Sequence, residues 1–151
     1  MTVTTAQQTP EVIAIRIPSR LELLSVLDRV AESVCQRMSF DDDTTAQISM
    51  SVIEAGTNAI QHGHKRDASK NVDIEFHLNG DRFEVQVQDY GGGFDVSKVA
   101  HDVTAPEHLF DARGRGIFIM RSCMDHVDFE FTGTGTRVRL IKKRIAKAEN
   151  R

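Results

Sequence analysis

The first third of the chain carries one short strand pattern and then two helical patterns. Residues 12–17 form a run rich in β-branched side chains that ends at Pro18, which predicts a strand at a sheet edge. Apolar residues then recur at helical spacing over residues 21–35, and Ser19 followed by Glu22 predicts a capping box at the start of this helix. A second helix is expected from Asp41 to about residue 62, where glycine follows.

The rest of the chain changes mainly to a period of two. Residues 72–78 and 83–87 alternate between apolar and polar side chains around Asn79-Gly80, which predicts an antiparallel hairpin with one buried face. A third helix is expected over residues 114–125, and a second hairpin over 127–140. The order of elements predicts an α+β fold, a two-layer sandwich whose mostly antiparallel sheet carries helices on one face.

Residues 91–111 interrupt these patterns with glycines, mixed charge and Pro106. This stretch is expected to be a long loop, and loops of such length inside a compact domain are usually functional lids or disordered. We therefore expect one domain over residues 11–145, with a flexible N-terminal segment at 1–10 and a flexible tail at 146–151.

Composition narrows the possible functions. The 151 residues are 40% hydrophobic and carry a net charge of −3, which suits one globular domain and argues against direct binding of nucleic acid. No stretch approaches the ~20 apolar residues of a membrane span, so neither a membrane nor a secretory context is expected. Cys35 and Cys123 are far apart in sequence and match a reduced, cytoplasmic protein.

Three polar motifs interrupt the apolar patterns. Glu54 and Asn58 lie four residues apart on one helix face. They are either a hydrogen-bonded pair in the core or part of a functional site. Asp89 ends a strand just before three glycines, which suits either an ordinary turn or the recognition of a purine amino group. Gly114-Arg115-Gly116 stands where a loop becomes a helix. This motif is either an anion-binding site or the hinge of a lid.

Taken in order, these motifs resemble a known set. With Gly133-x-Gly135-Thr136, they are similar in order and spacing to the four ATP-binding boxes of the superfamily that includes gyrase, heat-shock chaperones, histidine kinases and mismatch-repair ATPases. The match spans nearly the whole chain, although Gly92 stands where these families usually have a bulkier residue. The strand and helix over residues 12–34 further resemble the small bacterial anti-sigma serine/threonine kinases that act by partner switching.

The resemblance implies roles for the polar residues. Asn58 would offer its amide oxygen to Mg²⁺, and Glu54 would act as the base or orienter for the attacking hydroxyl. Asp89 would bind the amino group of adenine, with Thr136 supporting it through its hydroxyl.

The resemblance also implies roles for the glycines and arginines. Gly91 and Gly93 would let the start of the lid approach the base. Gly114 and Gly116 would present backbone N–H groups to the phosphates, and Arg113 or Arg115 would offset charge on the γ-phosphate. Two apolar residues of the same boxes, Phe94 and Ile117, complete the expected cofactor site. The six histidines show no zinc spacing and are expected on the surface or behind the site.

The function implied by the resemblance is that of an ATP- and Mg²⁺-dependent protein kinase. It would phosphorylate a serine or threonine of an anti-anti-sigma antagonist of the STAS type, hold a sigma factor or another output protein, and form a homodimer through strand 12–17. One alternative is a nucleotide-dependent protein-binding module without significant kinase activity. Another is a free ATPase, or a detached histidine-kinase domain that transfers phosphate to histidine.

Overall fold

A computed structural model describes residues 9–91 and 112–144, without the side chains of residues 112 and 113. The strands are β1 (Glu11–Pro18), β2 (Asn71–Asn79), β3 (Arg82–Gln88), β4 (His126–Phe131) and β5 (Thr136–Lys143). The helices are α1 (Leu24–Arg37), α2 (Asp42–Asn58) and α3 (Ala112–Cys123), with a 3₁₀ turn at Leu21–Leu23 and a π-helical turn at Ala59–Gly63. Within these residues, the predicted α+β class, two hairpins and three helices are confirmed.

The five strands form one antiparallel sheet in the order β1-β2-β3-β5-β4. Strand β1 lies at one edge, as predicted, and pairs with β2 along its whole length. Neighbours along the sequence are neighbours in the sheet except where β5 lies between β3 and β4. This crossing brings the start of β5 against the end of β3, where Asp89 follows.

The two faces of the sheet differ in character. Alternate residues of β2 and β3 are fully or almost fully buried on the inner face, among them Ile74, Phe76 and Val85. Residues of all three helices join the same core, namely Leu27, Ala31 and Val34 from α1, Ile48, Val52 and Ala55 from α2, and Ile117 and Met120 from α3. The helices therefore cover one face of the sheet, which is the predicted two-layer arrangement.

The outer face of the sheet is lined largely by polar and charged side chains that pair with one another. Arg16 forms a bidentate bond with Asp73, with its Nε 2.7 Å from the carboxylate, and Arg139 approaches Glu84 at 2.6 Å. Arg137 Nε donates to Gln88 Oε1 at 3.1 Å. These side chains pair across neighbouring strands, in the manner typical of the polar face of an antiparallel sheet.

The capping box predicted at Ser19 is wrong. The helical segment opens with the 3₁₀ turn at Leu21–Leu23 and has no side-chain cap, and the hydroxyl of Ser19 bonds instead to His64. A local sequence pattern predicted the cap, but the hydroxyl forms a hydrogen bond with a residue 45 positions away in the chain. The N-terminal cap of α2 is present, since Asp41 accepts the backbone N–H of Thr44 at 2.7 Å.

Three element boundaries also differ from the prediction. The α-helical part of α2 ends at Asn58, and the predicted last turn is π-helical. The first hairpin turns at Gly80-Asp81 because Asn79 still pairs with Arg82. Helix α3 covers Ala112–Cys123. The expected lid, including Gly92, Gly93 and Phe94, and most of both expected flexible ends lie outside the described residues.

Both cysteines lie in the described residues as free thiols. Cys35 is fully buried, and burial raises the pKa of its thiol to about 12. Cys123 is partly buried and also free. Within the described residues, no helix is both long and apolar enough to cross a membrane.

Candidate functional site

The last turns of α2 carry Glu54 and Asn58 on the face that packs against α3. At four residues apart the two side chains lie one above the other on the helix. Gly116 of α3 faces both of them, since a Cβ built there would lie 2.6 Å from Glu54 Oε2 and 3.9 Å from Asn58 Nδ2. The absence of a side chain at Gly116 therefore gives the Glu54 carboxylate its space against α3.

Glu54 lies in an environment that favours its protonated form. Partial burial raises the pKa of Glu54 above its usual value, and the positive charge of Arg115 partly counters the rise. Arg115 itself is exposed. A carboxylate with a raised pKa is a better proton acceptor, which is the property that a catalytic base requires.

Asn58 is only 6% exposed, and its Nδ2 atom has no hydrogen-bond partner. A buried amide end without a partner is costly and uncommon in native proteins, so such a group is often completed by a ligand or ion. The amide can rotate to present its oxygen instead, which is a suitable ligand for Mg²⁺. No cluster of three or more His, Cys, Asp and Glu side chains suited to a metal occurs in the described residues. A magnesium ion here would thus need phosphate oxygens and water beside Asn58.

Asp89 stands directly after β3 and is 5% exposed. Its Oδ1 accepts the backbone N–H groups of Gly91 at 3.1 Å and of Thr136 at 3.3 Å. Its own N–H donates to the carbonyl oxygen of Thr136 at 3.0 Å. The backbone of two segments therefore fixes the orientation of this carboxylate, which is what the recognition of one donor group in a ligand requires.

Gly63 and Gly91 pack closely around this carboxylate. A Cβ at Gly63 would lie 2.5 Å from Asp89 Cγ, and a Cβ at Gly91 would lie 1.7 Å from the carbonyl oxygen of Gly63. A side chain at Gly63 would displace the Asp89 carboxylate, and one at Gly91 would force the backbone of Gly63 to move. Because Gly63 ends the π-helical turn that begins just after Asn58, this five-residue turn joins the Glu54–Asn58 region to the Asp89 region.

Thr136 lies next to Asp89 as expected, but its contacts differ from those implied by the resemblance. Its backbone N–H and carbonyl bond to Asp89, whereas its hydroxyl is buried and has no partner. The hydroxyl is therefore a second unpaired polar group at the site. Gln88 was missed by the sequence analysis, and its Nε2 donates to the carbonyl oxygens of Asp89 at 2.6 Å and Thr136 at 3.3 Å.

The remaining predicted residues are placed as follows. Gly114, Gly116 and Ile117 are buried in α3, and Gly116 and Glu54 are adjacent. Gly93, Phe94 and the side chain of Arg113 lie outside the described residues. The structure thus brings Glu54, Asn58 and Gly116 together at one end, and Asp89, Gly91 and Thr136 at the other.

The fold and this arrangement agree with one class of protein. The sequence profile of the histidine kinase-like ATPase domain matches residues 17–142, which is most of the chain. The chain therefore belongs to the histidine kinase-like ATPase family.

The chain is also similar to individual curated proteins. It is 32% identical over 120 residues to the serine-protein kinase RsbW of Bacillus subtilis, covering 76% of this chain and 75% of the relative. It is 30% identical over 135 residues to the serine-protein kinase RsbW of Bacillus velezensis, covering 86% and 84%. These similarities place it with the anti-sigma factor kinases of the family, which residues 12–34 resemble.

A solved structure supports the fold. The structure of the RsbU and RsbW domains of a Mycobacterium tuberculosis protein matches with a TM-score of 0.65 and 15% sequence identity. The match covers 88% of this chain and 32% of that longer chain.

Proposed function

We propose that this chain binds ATP with Mg²⁺ and transfers the γ-phosphate to a serine or threonine of an anti-anti-sigma antagonist protein. The observation that carries the proposal is the pair on α2, where a carboxylate with a raised pKa lies one turn from a buried amide whose Nδ2 atom has no partner. Similarity to proteins named serine-protein kinases supports the same activity.

Each group has a task in this reaction. The serine hydroxyl oxygen attacks the γ-phosphorus, the bond from that phosphorus to the bridging oxygen breaks, and ADP leaves with the bond's electron pair. Glu54 accepts or orients the hydroxyl proton. Magnesium held by Asn58 would offset negative charge on the phosphates. Asp89 binds the amino group of adenine, and Arg115 stabilises charge on the γ-phosphate.

Phosphoryl transfer is tested by incubating the purified chain with Mg²⁺, γ-labelled ATP and candidate antagonists encoded beside it. We expect acid-stable phosphoserine or phosphothreonine on one antagonist, and about 10²-fold slower labelling with the Glu54→Gln variant. Binding of ATP without transfer to any candidate would favour a binding module instead. Release of free phosphate would favour an ATPase, and acid-labile phosphohistidine would favour a histidine kinase.

We also propose that the chain sequesters a sigma factor or another output protein and acts as a homodimer. Edge strand β1 supports dimerisation, because within the described residues it pairs with a strand on one side only. Ile15 packs toward the core, so a charge there would damage the fold. Val12 is 55% exposed and is the better probe. Light scattering should detect a dimer that Val12→Lys weakens, and a monomeric wild type would overturn the proposal.

A further inference from the structure

His64 lies between two segments that meet beside the candidate site. It is 2% exposed, and its ring bonds on both sides. Nδ1 is 2.5 Å from the hydroxyl oxygen of Ser19, and Nε2 accepts the backbone N–H of Tyr90 at 2.8 Å. This side chain therefore connects the segment after β1 with the segment after β3.

These two bonds require one protonation state of the ring. A backbone N–H can only donate, so Nε2 must carry a lone pair and no hydrogen. In the neutral ring the proton is then on Nδ1, which donates to the oxygen of Ser19. A doubly protonated ring has no acceptor for Tyr90, so protonation breaks the link between His64 and this segment.

Tyr90 occupies a sensitive place in the chain. It stands between Asp89, whose carboxylate faces Gly63, and Gly91, whose N–H bonds that carboxylate. His64 directly follows Gly63, and its bond to Tyr90 therefore fixes the π-helical turn against the end of β3. Its backbone N–H donates to the carbonyl of Ala59 at 2.9 Å, which ties its position to the same turn.

The chain after His64 adopts a backbone conformation that is uncommon outside glycine. Lys65 and Arg66 have φ values of 49° and 61°, in the left-handed region. The N–H of Arg66 donates back to the carbonyl of Ile60 at 2.8 Å. Two such residues in succession cost conformational energy, which other interactions must offset. The buried hydrogen bonds of His64 are one such interaction.

We propose that neutral His64 is a positioning residue for Asp89, and that protonation of its ring weakens nucleotide binding. The inference rests on the proposed function, because it takes Asp89 as the residue that recognises the nucleotide. His64 acts through the backbone of Tyr90 and Gly91, without contacting the nucleotide itself.

The charges around His64 set the direction of the pH effect. Burial lowers the pKa of His64 below its usual value, and Lys70 lowers it further, while Asp89 and Asp67 oppose the change. A histidine with a lowered pKa in the folded protein is neutral at neutral pH. Its contribution to nucleotide binding is complete above its ordinary pKa of about 6.5 and is lost as the pH falls through the lower folded value.

The test measures ATP affinity by calorimetry from about pH 7.5 to about pH 5.5 for three proteins. His64→Gln keeps an uncharged acceptor that does not titrate, and His77→Gln makes the same change on the outer sheet face, where His77 bonds Glu75. Protonation of ATP affects all three proteins equally, so the differences between them isolate His64. We expect the wild type and His77→Gln to lose roughly threefold to tenfold more affinity than His64→Gln at the acidic end.

A second substitution of His64 tests the loss of both bonds, and NMR of the wild type gives a measurement that does not depend on the folding of any variant. His64→Phe keeps a ring but removes both bonds, and should lower ATP affinity roughly tenfold even at neutral pH because the Tyr90 N–H loses its acceptor. Nitrogen NMR of the ligand-free protein should show the Nδ1–H tautomer of His64. The amide signals of Tyr90 and Gly91 should titrate together with this ring.

The outcomes separate this inference from the proposed function. If the wild type does not bind ATP, the proposed function fails. If the wild type binds ATP and Asp89→Asn binds it poorly, but His64→Gln follows the wild-type pH profile, the positioning role of His64 is wrong. An Nε2–H tautomer in the NMR spectrum would also overturn it, even if His64→Phe fails to fold.

Discussion

The two ends of the candidate site are built in different ways. At the α2 end, Glu54 is a partly buried carboxylate with a raised pKa, and Asn58 keeps one buried amide atom without a partner. At the β3 end, Asp89 is more deeply buried, yet backbone N–H groups bond it from two segments and glycines surround it. The α2 end leaves the Asn58 amide incompletely bonded, whereas the β3 end holds the Asp89 carboxylate in place, although the neighbouring Thr136 hydroxyl is also unpaired.

The difference suits two different tasks. A group that changes its bonding during a reaction gains from an environment that does not already satisfy it. A group that recognises one feature of a ligand gains from being fixed in advance, because no ordering cost remains for binding. Under the proposed function, the α2 end carries the chemistry and the β3 end carries the recognition, and the following experiments test that division.

The largest effect is expected from Glu54→Gln. The change keeps the shape of the side chain but removes the proton acceptor, so phosphoryl transfer should fall by about 10²-fold or more. ATP affinity, measured by calorimetry, should change much less. Equal transfer rates in the variant and the wild type would mean that the carboxylate is structural, and the α2 end would lose its catalytic role.

Asp89→Asn tests the β3 end through ATP affinity, whereas Glu54→Gln tests the α2 end through phosphoryl transfer. The new amide oxygen can accept the N–H groups of Gly91 and Thr136, which leaves an NH₂ group where the carboxylate offered its second acceptor. A hydrogen bond to a charged group is worth roughly 1.5–3 kcal/mol, so ATP affinity should fall at least about tenfold. Unchanged affinity in calorimetry would remove Asp89 from the site.

Gly91→Ala tests whether the β3 end depends on close packing of backbone. The added methyl would lie 1.7 Å from the carbonyl oxygen of Gly63. The free energy of unfolding should therefore fall by about 1–3 kcal/mol, together with ATP affinity. Gly80→Asn is the control, because that position has φ of +58° and open space around it, and chemical denaturation should detect a loss below about 1 kcal/mol. Equal losses in both variants would argue against special packing around Asp89.

The smallest effect concerns the stability of the α2 end. The pKa of Glu54 is raised in the folded chain, so its ionisation costs stability as the pH rises above the ordinary value of 4.5, and this cost is complete above the folded pKa. Glu54→Gln should therefore make the protein as stable as the wild type or slightly more stable at neutral pH. This gain should disappear below about pH 4, where the glutamate is protonated in both states. Denaturation curves at the two pH values measure it, and a clear loss at neutral pH would show that the charge supports the fold.

Much of the fold could be predicted because its patterns are local. Alternation over residues 72–78 and 83–87 indicated which face of the hairpin is buried, and the structure buries Ile74, Phe76 and Val85 there. A period of two or of 3.6 residues follows directly from backbone geometry, so the sequence shows it without information about the tertiary structure. The register at the hairpin turn was misjudged by one residue, because pairing of Asn79 with Arg82 depends on both strands.

Residue types and spacing by themselves determined the sandwich fold, the edge position of β1 and the family to which the chain belongs. Tertiary structure alone decided where individual polar groups find partners. The hydroxyl of Ser19 bonds His64 instead of capping a helix, and the backbone of Thr136 holds Asp89 while its hydroxyl stays unpaired. The physical reason is distance along the chain: a cap or a period involves residues a few positions apart, whereas these bonds join segments separated by more than 40 residues.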